Sequence, residues 1–166
     1  MINSNQTVIK VGIADLKFVK APDTIRTLGL GSCVGVVVYD ELKKIAGLAH
    51  VLLPDSSHTK QTNLNAFKYA DTAIPFLVDE LVKSGASKLR LKAKIAGGAQ
   101  MFQFMSNSDT MRIGARNVDA VKDMLKKFEI PIVSSDVGGN SGRTIEFNPI
   151  TSDLKIRKVR SDEFII

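Results

Sequence analysis

The sequence contains no tryptophan, one cysteine and only two histidines among its 166 residues. A single cysteine cannot form an internal disulfide, which is typical of a protein from a reducing compartment. The few thiol and imidazole groups form neither a Cys-x-x-Cys nor a His-x-x-x-His pattern, so their spacing does not indicate a zinc site. We therefore predict a cytoplasmic protein that holds no metal.

A secretory signal and long apolar runs are also missing. Residues 1–7 lack the basic and apolar regions of a signal peptide. The longest uncharged apolar-rich run, residues 27–39, is too short and too rich in glycine to cross a bilayer as a helix. Hydrophobic residues make up 44% and charged residues 24%, which excludes complete disorder. Without repeats or linkers, we predict a single domain over residues 1–166 and no membrane insertion.

Acidic residues are outnumbered, since 23 Lys and Arg against 17 Asp and Glu give a net charge of +6. This excess favours an anionic partner without identifying it. Nucleic acid, an anionic membrane surface and an acidic protein all stay open on charge alone. Aromatic residues make up only 6%, so platforms for stacking bases are scarce, which argues against nucleic-acid binding.

Hydrophobic periodicity predicts many strands and two helices. Helical spacing covers residues 66–82, with a kink expected at Pro75, and residues 117–128. Residues 88–95 alternate between basic and apolar side chains, which predicts a strand with one solvated basic face. The other predicted strands are 7–13, 16–19, 24–28, 34–39, 45–53, 130–137, 143–147 and 154–159. Because helices and strands do not alternate strictly, the pattern favours an α+β fold over a doubly wound sheet.

The glycine-rich segments do not match nucleotide-binding loops. Residues 29–35 carry Val34 where a dinucleotide loop has its third glycine, and a predicted strand follows instead of a helix. Residues 138–144 are one residue short of a phosphate loop and carry Arg143 in place of its lysine. Neither segment therefore indicates a bound nucleotide.

Cys33 and His50 become neighbours if two apolar strands form a hairpin. Taken alone, each residue is more often structural than catalytic. The loop between the strands has about four residues, and we take Asp40 to pair with Ile45 across it. In that register Gly35 lies opposite His50, and Cys33 shares their face as a diagonal neighbour of the histidine. A shift of the pairing register by one residue would instead place the two side chains on opposite faces of the sheet.

Such a Cys–His pair predicts acyl transfer. A thiol with a pKa of roughly 8.5 is mostly protonated at neutral pH, and a neighbouring imidazole can take its proton to give a thiolate–imidazolium pair. Backbone N–H groups in the tight turn at residues 29–32 can stabilise an oxyanion. The pattern therefore predicts a hydrolase with a thioester intermediate. His58, in a polar segment, is a less favoured alternative base.

Six motifs then appear in order along the chain. They are LGLGSCV at 28–34, AGLAH at 46–50 followed by Leu53-Pro54, KYAD at 68–71, AGGAQMF at 96–102, IGARN at 113–117, and DVGGN at 136–140 followed by Gly142-Arg143. Together they resemble the bacterial chemoreceptor glutamine deamidases, the CheD family. The resemblance spans most of the chain, and the motifs are specific as a set although each alone would be weak.

The resemblance implies an enzyme that hydrolyses the side-chain amide of selected glutamines on methyl-accepting chemotaxis receptors. Glutamate and ammonia are the products, and receptor methylesterase activity is a further possibility. The family's cysteine, histidine and threonine fall on Cys33, His50 and Thr27. Cys33 would attack the carboxamide, His50 would activate the thiol, and Thr27 would hold the imidazole in the useful tautomer. No cofactor is implied, and without the resemblance Thr27 would be interpreted as an ordinary strand threonine.

The same resemblance implies layered mixed sheets with helices on one side, an α/β/β sandwich similar to toxin domains that deamidate host glutamines. It also implies a binding partner, the chemotaxis phosphatase CheC. A non-enzymatic regulator of that phosphatase and a basic nucleic-acid-binding module stay as alternatives. Segments 96–102 and 136–143 are either loops beside the site or structural turns. The Met and Phe side chains at 101–105 are expected in the core or, if exposed, on a partner surface.

Overall fold

The chain folds into two five-stranded sheets and two α-helices, seen over residues 5–57, 65–101 and 112–166 of a computed structural model. The strands are β1 (Val8–Val11), β2 (Leu16–Lys20), β3 (Thr24–Leu30), β4 (Val34–Asp40), β5 (Ile45–Val51), β6 (Lys92–Gly97), β7 (Ile132–Val137), β8 (Arg143–Asn148), β9 (Asp153–Lys158) and β10 (Glu163–Ile165). The helices are α1 (Ala70–Lys83) and α2 (Ile113–Lys127). His58 and the side chains predicted at 102–105 lie outside the described residues.

Both sheets are mixed. The central sheet has the order β2-β5-β4-β6-β7, and the outer sheet has the order β1-β3-β8-β9-β10. Strands β6 and β7 pair in parallel, as do β1 and β3, whereas the hairpin partners β4 and β5 are antiparallel. This arrangement confirms the predicted α+β fold with two helices and layered mixed sheets.

The central sheet is covered on both faces, which produces two separate apolar layers. The helix-side core lies between α1, α2 and the central sheet, and the inter-sheet core lies between the two sheets. Every residue of β4 is buried, as expected for a strand with both faces covered. The helix-side core includes Val34, Val36, Val38, Ala49, Val51, Ile74, Leu77, Leu81, Val121 and Leu125. The inter-sheet core includes Leu30, Cys33, Val37, Leu48, Ala96, Ile145 and Phe147.

The prediction of a solvated basic strand over residues 88–95 is wrong in two respects. Residues Lys88–Arg90 form a short 3₁₀ helix, and the strand β6 begins only at Lys92. Lys94 is just 9% exposed, and its ammonium group donates hydrogen bonds to the carbonyl oxygens of Ser152 and Ile166. The reason is that β6 is an internal strand, so the side chains on its second face enter the inter-sheet core.

The helix boundaries also differ from the sequence prediction. Helix α1 begins at Ala70 rather than at residue 66, and α2 begins one turn earlier than predicted, at Ile113. Helix α1 runs through Pro75 without interruption, and the kink expected there stays a prediction. The short strand β10, at the edge of the outer sheet, was not predicted because its three residues carry too little periodicity.

Candidate active site

The hairpin of β4 and β5 has the predicted register. Asp40 pairs with Ile45, and Gly35 lies directly opposite His50. Gly35 faces the outer sheet, because a Cβ atom on it would lie 2.6 Å from Cδ1 of Ile145. The side chain of His50, on the same face as its cross-strand partner, therefore enters the inter-sheet core.

Thr27 anchors the imidazole of His50 from the outer sheet. Its Oγ1 atom lies 2.7 Å from Nδ1 of His50 and 2.8 Å from the carbonyl oxygen of Val11. A hydroxyl group has one proton, and a carbonyl oxygen can only accept. The hydroxyl therefore donates to Val11 and accepts from Nδ1–H of the histidine. This hydrogen-bond pattern leaves Nε2 of His50 without a proton and with its lone pair available.

The second ring nitrogen of His50 is in a position to act as a base. Nε2 is buried, and it has no hydrogen-bond partner within the described parts of the chain. The residue is 0% exposed, and burial lowers the pKa of the imidazole to about 4, because desolvation disfavours its charged form. His50 is therefore neutral at physiological pH.

Cys33 lies in the turn that connects the two sheets. The chain leaves the outer sheet at the end of β3, and it enters the central sheet at the start of β4. Cys33 is 6% exposed and packs in the inter-sheet core, the layer that also contains the imidazole of His50. Burial raises the pKa of the Cys33 thiol. A hydrogen bond from the residue's own backbone N–H lowers this pKa, but by less.

The two pKa shifts both favour the neutral forms. The resting site therefore holds a thiol and an uncharged imidazole, rather than the thiolate–imidazolium pair that the residue types alone suggest. Burial of uncompensated charge is unfavourable, which disfavours the ion pair in the resting site.

The turn at residues 31–33 is held by a neighbouring loop. The N–H of Ala99 donates to the carbonyl of Gly31 at 2.8 Å, and the N–H of Gly98 donates to the carbonyl of Cys33 at 2.8 Å. Gly97 has φ of +113°, and a Cβ atom on it would lie 2.3 Å from the carbonyl oxygen of Cys33. Only glycine allows this close approach, which accounts for part of the AGGAQMF motif.

Arg143 fixes the same loop from the other side. Its guanidinium group donates to Asp136 Oδ2 at 2.9 Å, to the Gly138 carbonyl at 2.8 Å and to the Gly97 carbonyl at 3.3 Å. Arg143 is almost completely buried. Segments 96–101 and 136–143 are therefore packed beside the Cys33 turn. Arg143 holds these segments together, so its guanidinium group is not free to bind the carboxylate of a ligand. Met101, by contrast, is 45% exposed beside Gly31.

Asn117 is a buried polar residue that the sequence did not single out. Its Nδ2 atom donates to the carbonyls of Ser32 and Leu52, each at 3.0 Å. The only sequence signal for it was its position at the end of the IGARN motif. Periodicity places it on the buried face of α2, where an apolar residue is the usual expectation.

Neither a metal site nor a membrane-spanning helix is present among the described residues. No group of three or more His, Cys, Asp and Glu side chains is placed to hold a metal ion there. No helix over residues 5–57, 65–101 and 112–166 is long and apolar enough to cross a membrane.

The fold places a buried thiol and a histidine, anchored by a threonine hydroxyl, between two sheets. A protein with these groups belongs to a class that is suited to acyl transfer. Residues 52–158 match the family model described as CheD chemotactic sensory transduction. The chain belongs to the CheD family.

Relatives that match almost the whole chain have the same family name. The "Probable chemoreceptor glutamine deamidase CheD" of Oceanobacillus iheyensis is 59% identical over 166 residues, which is all of both chains. The "Chemoreceptor glutamine deamidase CheD" of Bacillus subtilis is 56% identical over 163 residues, 98% of each chain. That of Halalkalibacterium halodurans is 60% identical over 156 residues, 94% of this chain and 96% of its own. The full-length match includes the segment with Thr27, Cys33 and His50.

Proposed function

We propose that this chain is a chemoreceptor glutamine deamidase that converts glutamine side chains of methyl-accepting chemotaxis receptors to glutamate. Membership in the CheD family and the names of its relatives support the substrate class. One structural observation supports the chemistry: Thr27 accepts a hydrogen bond from Nδ1–H of His50 and leaves Nε2 as a free base in the layer that contains Cys33.

In the first step, the Cys33 sulfur attacks the carboxamide carbon while its proton passes to Nε2 of His50. The carbonyl π electrons move to oxygen and give a tetrahedral oxyanion, which backbone N–H groups of the 31–33 turn stabilise. The imidazolium then returns the proton to the amide nitrogen. The C–N bond breaks, ammonia leaves, and a thioester joins Cys33 to the substrate.

In the second step, water attacks the thioester and His50 accepts one of its protons. The second tetrahedral oxyanion collapses, the C–S bond breaks, and His50 returns the proton to the sulfur. One amide and one water thus give one carboxylic acid and one ammonia, with the enzyme unchanged. The low pKa of His50 suits the acid role, because a weakly basic imidazole gives its proton readily to the leaving nitrogen.

The same two steps would hydrolyse a carboxyl methyl ester with methanol as the leaving group, and we include receptor methylesterase activity in the proposal. We also propose a single catalytic domain over residues 1–166, CheC as a binding partner, and action in the cytoplasm, which a single cysteine favours.

Nucleic-acid binding is the weaker alternative, because carboxylates already engage some of the basic side chains on the outer sheet. Arg26 lies 2.7 Å from Glu146, and Lys158 lies 3.3 Å from Asp136. A phosphate backbone would have to compete with these carboxylates for the same cations.

Ammonia release tests the proposal. Purified protein is mixed with a receptor cytoplasmic fragment, and each converted glutamine is identified by a mass increase of roughly one dalton, as expected if water hydrolyses the thioester. The control is Cys33→Ala, which should release no ammonia while it stays folded. Equal ammonia from the variant and the native chain would exclude Cys33 as the nucleophile. No ammonia from either protein, over several receptors, would favour the non-enzymatic regulator of CheC.

A further inference from the structure

The carbonyl of Ser32 is held by a side chain from another part of the chain. Nδ2 of Asn117 donates to the Ser32 oxygen at 3.0 Å and to the Leu52 oxygen at 3.0 Å. Both partners are carbonyl oxygens, which only accept, so the amide nitrogen and not the amide oxygen must face them. Asn117 is 0% exposed, so its amide group is shielded from water.

The bonded carbonyl belongs to the peptide group that contains the Cys33 N–H. The Ser32–Cys33 peptide is trans, so its C=O and N–H point in opposite directions within one plane. A donor that fixes the carbonyl therefore fixes the direction of the N–H. The N–H and the sulfur belong to the same residue, so the N–H lies close to the atom that attacks. An oxyanion formed by attack of that sulfur develops next to the same N–H.

The neighbouring carbonyls of the turn are bonded to backbone groups. Gly31 accepts from the N–H of Ala99, and Cys33 accepts from the N–H of Gly98. These two bonds continue the backbone pairing of β4 with β6, so the fold itself accounts for them. The bond to Ser32 is different, because it comes from a side chain of helix α2 that is 85 residues away in sequence.

Stability alone is a poor reason for an asparagine at this position. Its Oδ1 atom is buried and has no hydrogen-bond partner among the described residues. A buried acceptor without a partner weakens the folded state, and it offsets much of what the two donated bonds contribute. Around it, α2 presents apolar residues such as Val118 and Val121 to the helix-side core.

We propose that Asn117 is a positioning residue for acyl transfer, which aims the Cys33 N–H at the oxyanion by holding the carbonyl of the Ser32–Cys33 peptide. This inference rests on the proposed function for the identity of the nucleophile. Because Leu52 follows His50 by two residues, the same amide group also ties the segment with the base to the turn with the nucleophile.

Two reactions of the Cys33 thiol distinguish a positioning role of Asn117 from a merely structural role. p-Nitrophenyl acetate reacts through a tetrahedral oxyanion: the sulfur bonds to the carbonyl carbon, the ester C–O bond breaks and p-nitrophenolate is released. Iodoacetamide reacts by direct displacement of iodide at a saturated carbon, without an oxyanion. Cys33 is the only cysteine of the sequence, so both rates report on it after subtraction of the Cys33→Ala background.

The variants are Asn117→Ala and Asn117→Asp, the second with the same shape but without the two N–H donors. With all rates compared per thiolate, we expect acylation and receptor deamidation to fall by roughly ten- to a hundred-fold, as for a weakened oxyanion donor, with alkylation changed less than about twofold. Val121→Ala is the matched control, since it truncates a buried residue one turn further along α2. Its acylation and alkylation rates should both match the native chain.

Each other outcome overturns the inference. Acylation and alkylation falling together in both Asn117 variants would show that the residue only keeps the turn folded. Unchanged acylation would show that Asn117 does not influence the oxyanion. Failure of the proposed function is distinguishable from both, because the native chain would then leave the receptor fragment unchanged while its thiol still showed the two model reactions.

Discussion

The two apolar layers on either side of the central sheet are equally buried but chemically different. The hydrophobic members of the helix-side core carry no titrating group, and the buried carboxylate on the same face of β4, Asp40, is paired with Arg90. The inter-sheet core has the same depth, yet it is associated with Cys33, His50, Thr27 and Lys94. Strands β4 and β5 contribute alternate residues to both layers, so Ala49 faces the helices and His50 faces the outer sheet.

The difference accounts for the position of the proposed active site in the inter-sheet core and not in the helix-side core. Between two sheets, backbone hydrogen bonds fix the strands on both sides, so a hydroxyl of one sheet can hold an imidazole of the other at 2.7 Å. Val11 and Thr27 are cross-strand partners in the outer sheet, which fixes the second bond of the hydroxyl. Helix α2 contacts this region through apolar residues and the neutral amide of Asn117, so the helix side provides no such frame for a base.

The largest expected effect comes from one substitution in each layer. His50→Gln should lower the rate of receptor deamidation by roughly 10²–10⁴-fold, because it removes the proposed general base. Leu77→Ala should lower the free energy of unfolding by about 2–5 kcal/mol, because it leaves a cavity in the helix-side core. Ammonia release per folded molecule and urea unfolding measure the two effects.

The two layers would not differ in function if the two substitutions had the same consequences. A rate per folded molecule that falls as far in Leu77→Ala as in His50→Gln would mean that the helix-side core also shapes the site. Full activity of His50→Gln would remove the histidine from the mechanism, whatever its hydrogen bonds.

The sequence predicted the hairpin but only part of the site. Asp40 and Ile45 paired as expected, because strand alternation and a short loop leave few registers for a strand buried on both faces. Thr27 could not be placed in this way, since β3 lies in the other sheet and no local pattern relates it to His50. Its assignment came from the family resemblance alone.

Asn117 and Lys94 also could not be placed from local sequence patterns. Each is a polar residue at a position that periodicity assigns either to an apolar core or to a solvated face. Their hydrogen-bond partners are carbonyl groups 58 to 85 residues away in sequence, so only the assembled layers make burial of these side chains favourable. Local propensity contains no information about such partners.

The acid sensitivity of the inter-sheet core gives the next prediction. The folded-state pKa of His50 is about 4, and the unfolded value is about 6.5. Between these values the unfolded chain binds a proton that the folded chain does not, so stability is complete above pH 6.5 and is lost as the pH falls towards 4. The contribution of His50 to this loss is about 3 kcal/mol for a shift of this size.

Urea unfolding of the native chain and of His50→Gln, at several pH values from 7 to 4, isolates this contribution. The difference between their free energies of unfolding should change steadily in favour of the variant as the pH falls. A constant difference over the whole range would show that the imidazole protonates equally in both states and is not desolvated.

The smallest expected effect concerns the hydroxyl that joins the two sheets. Thr27→Val keeps the shape of the side chain but removes the acceptor of His50 Nδ1–H. The imidazole then loses its preference for the tautomer with a free Nε2, and we expect the rate of deamidation to fall roughly ten- to a hundred-fold. Thr27→Ser retains the hydroxyl and should recover most of the rate.

A nitrogen NMR spectrum of the imidazole separates orientation from packing in these two variants. In the native chain and in Thr27→Ser, the proton should be on Nδ1, whereas in Thr27→Val both tautomers should be populated. A slow Thr27→Val enzyme with the native tautomer would mean that the threonine acts through packing between the sheets. The difference between the two layers would then lie in shape rather than in proton placement, and Thr27→Ser, which lacks the methyl group, should be slow as well.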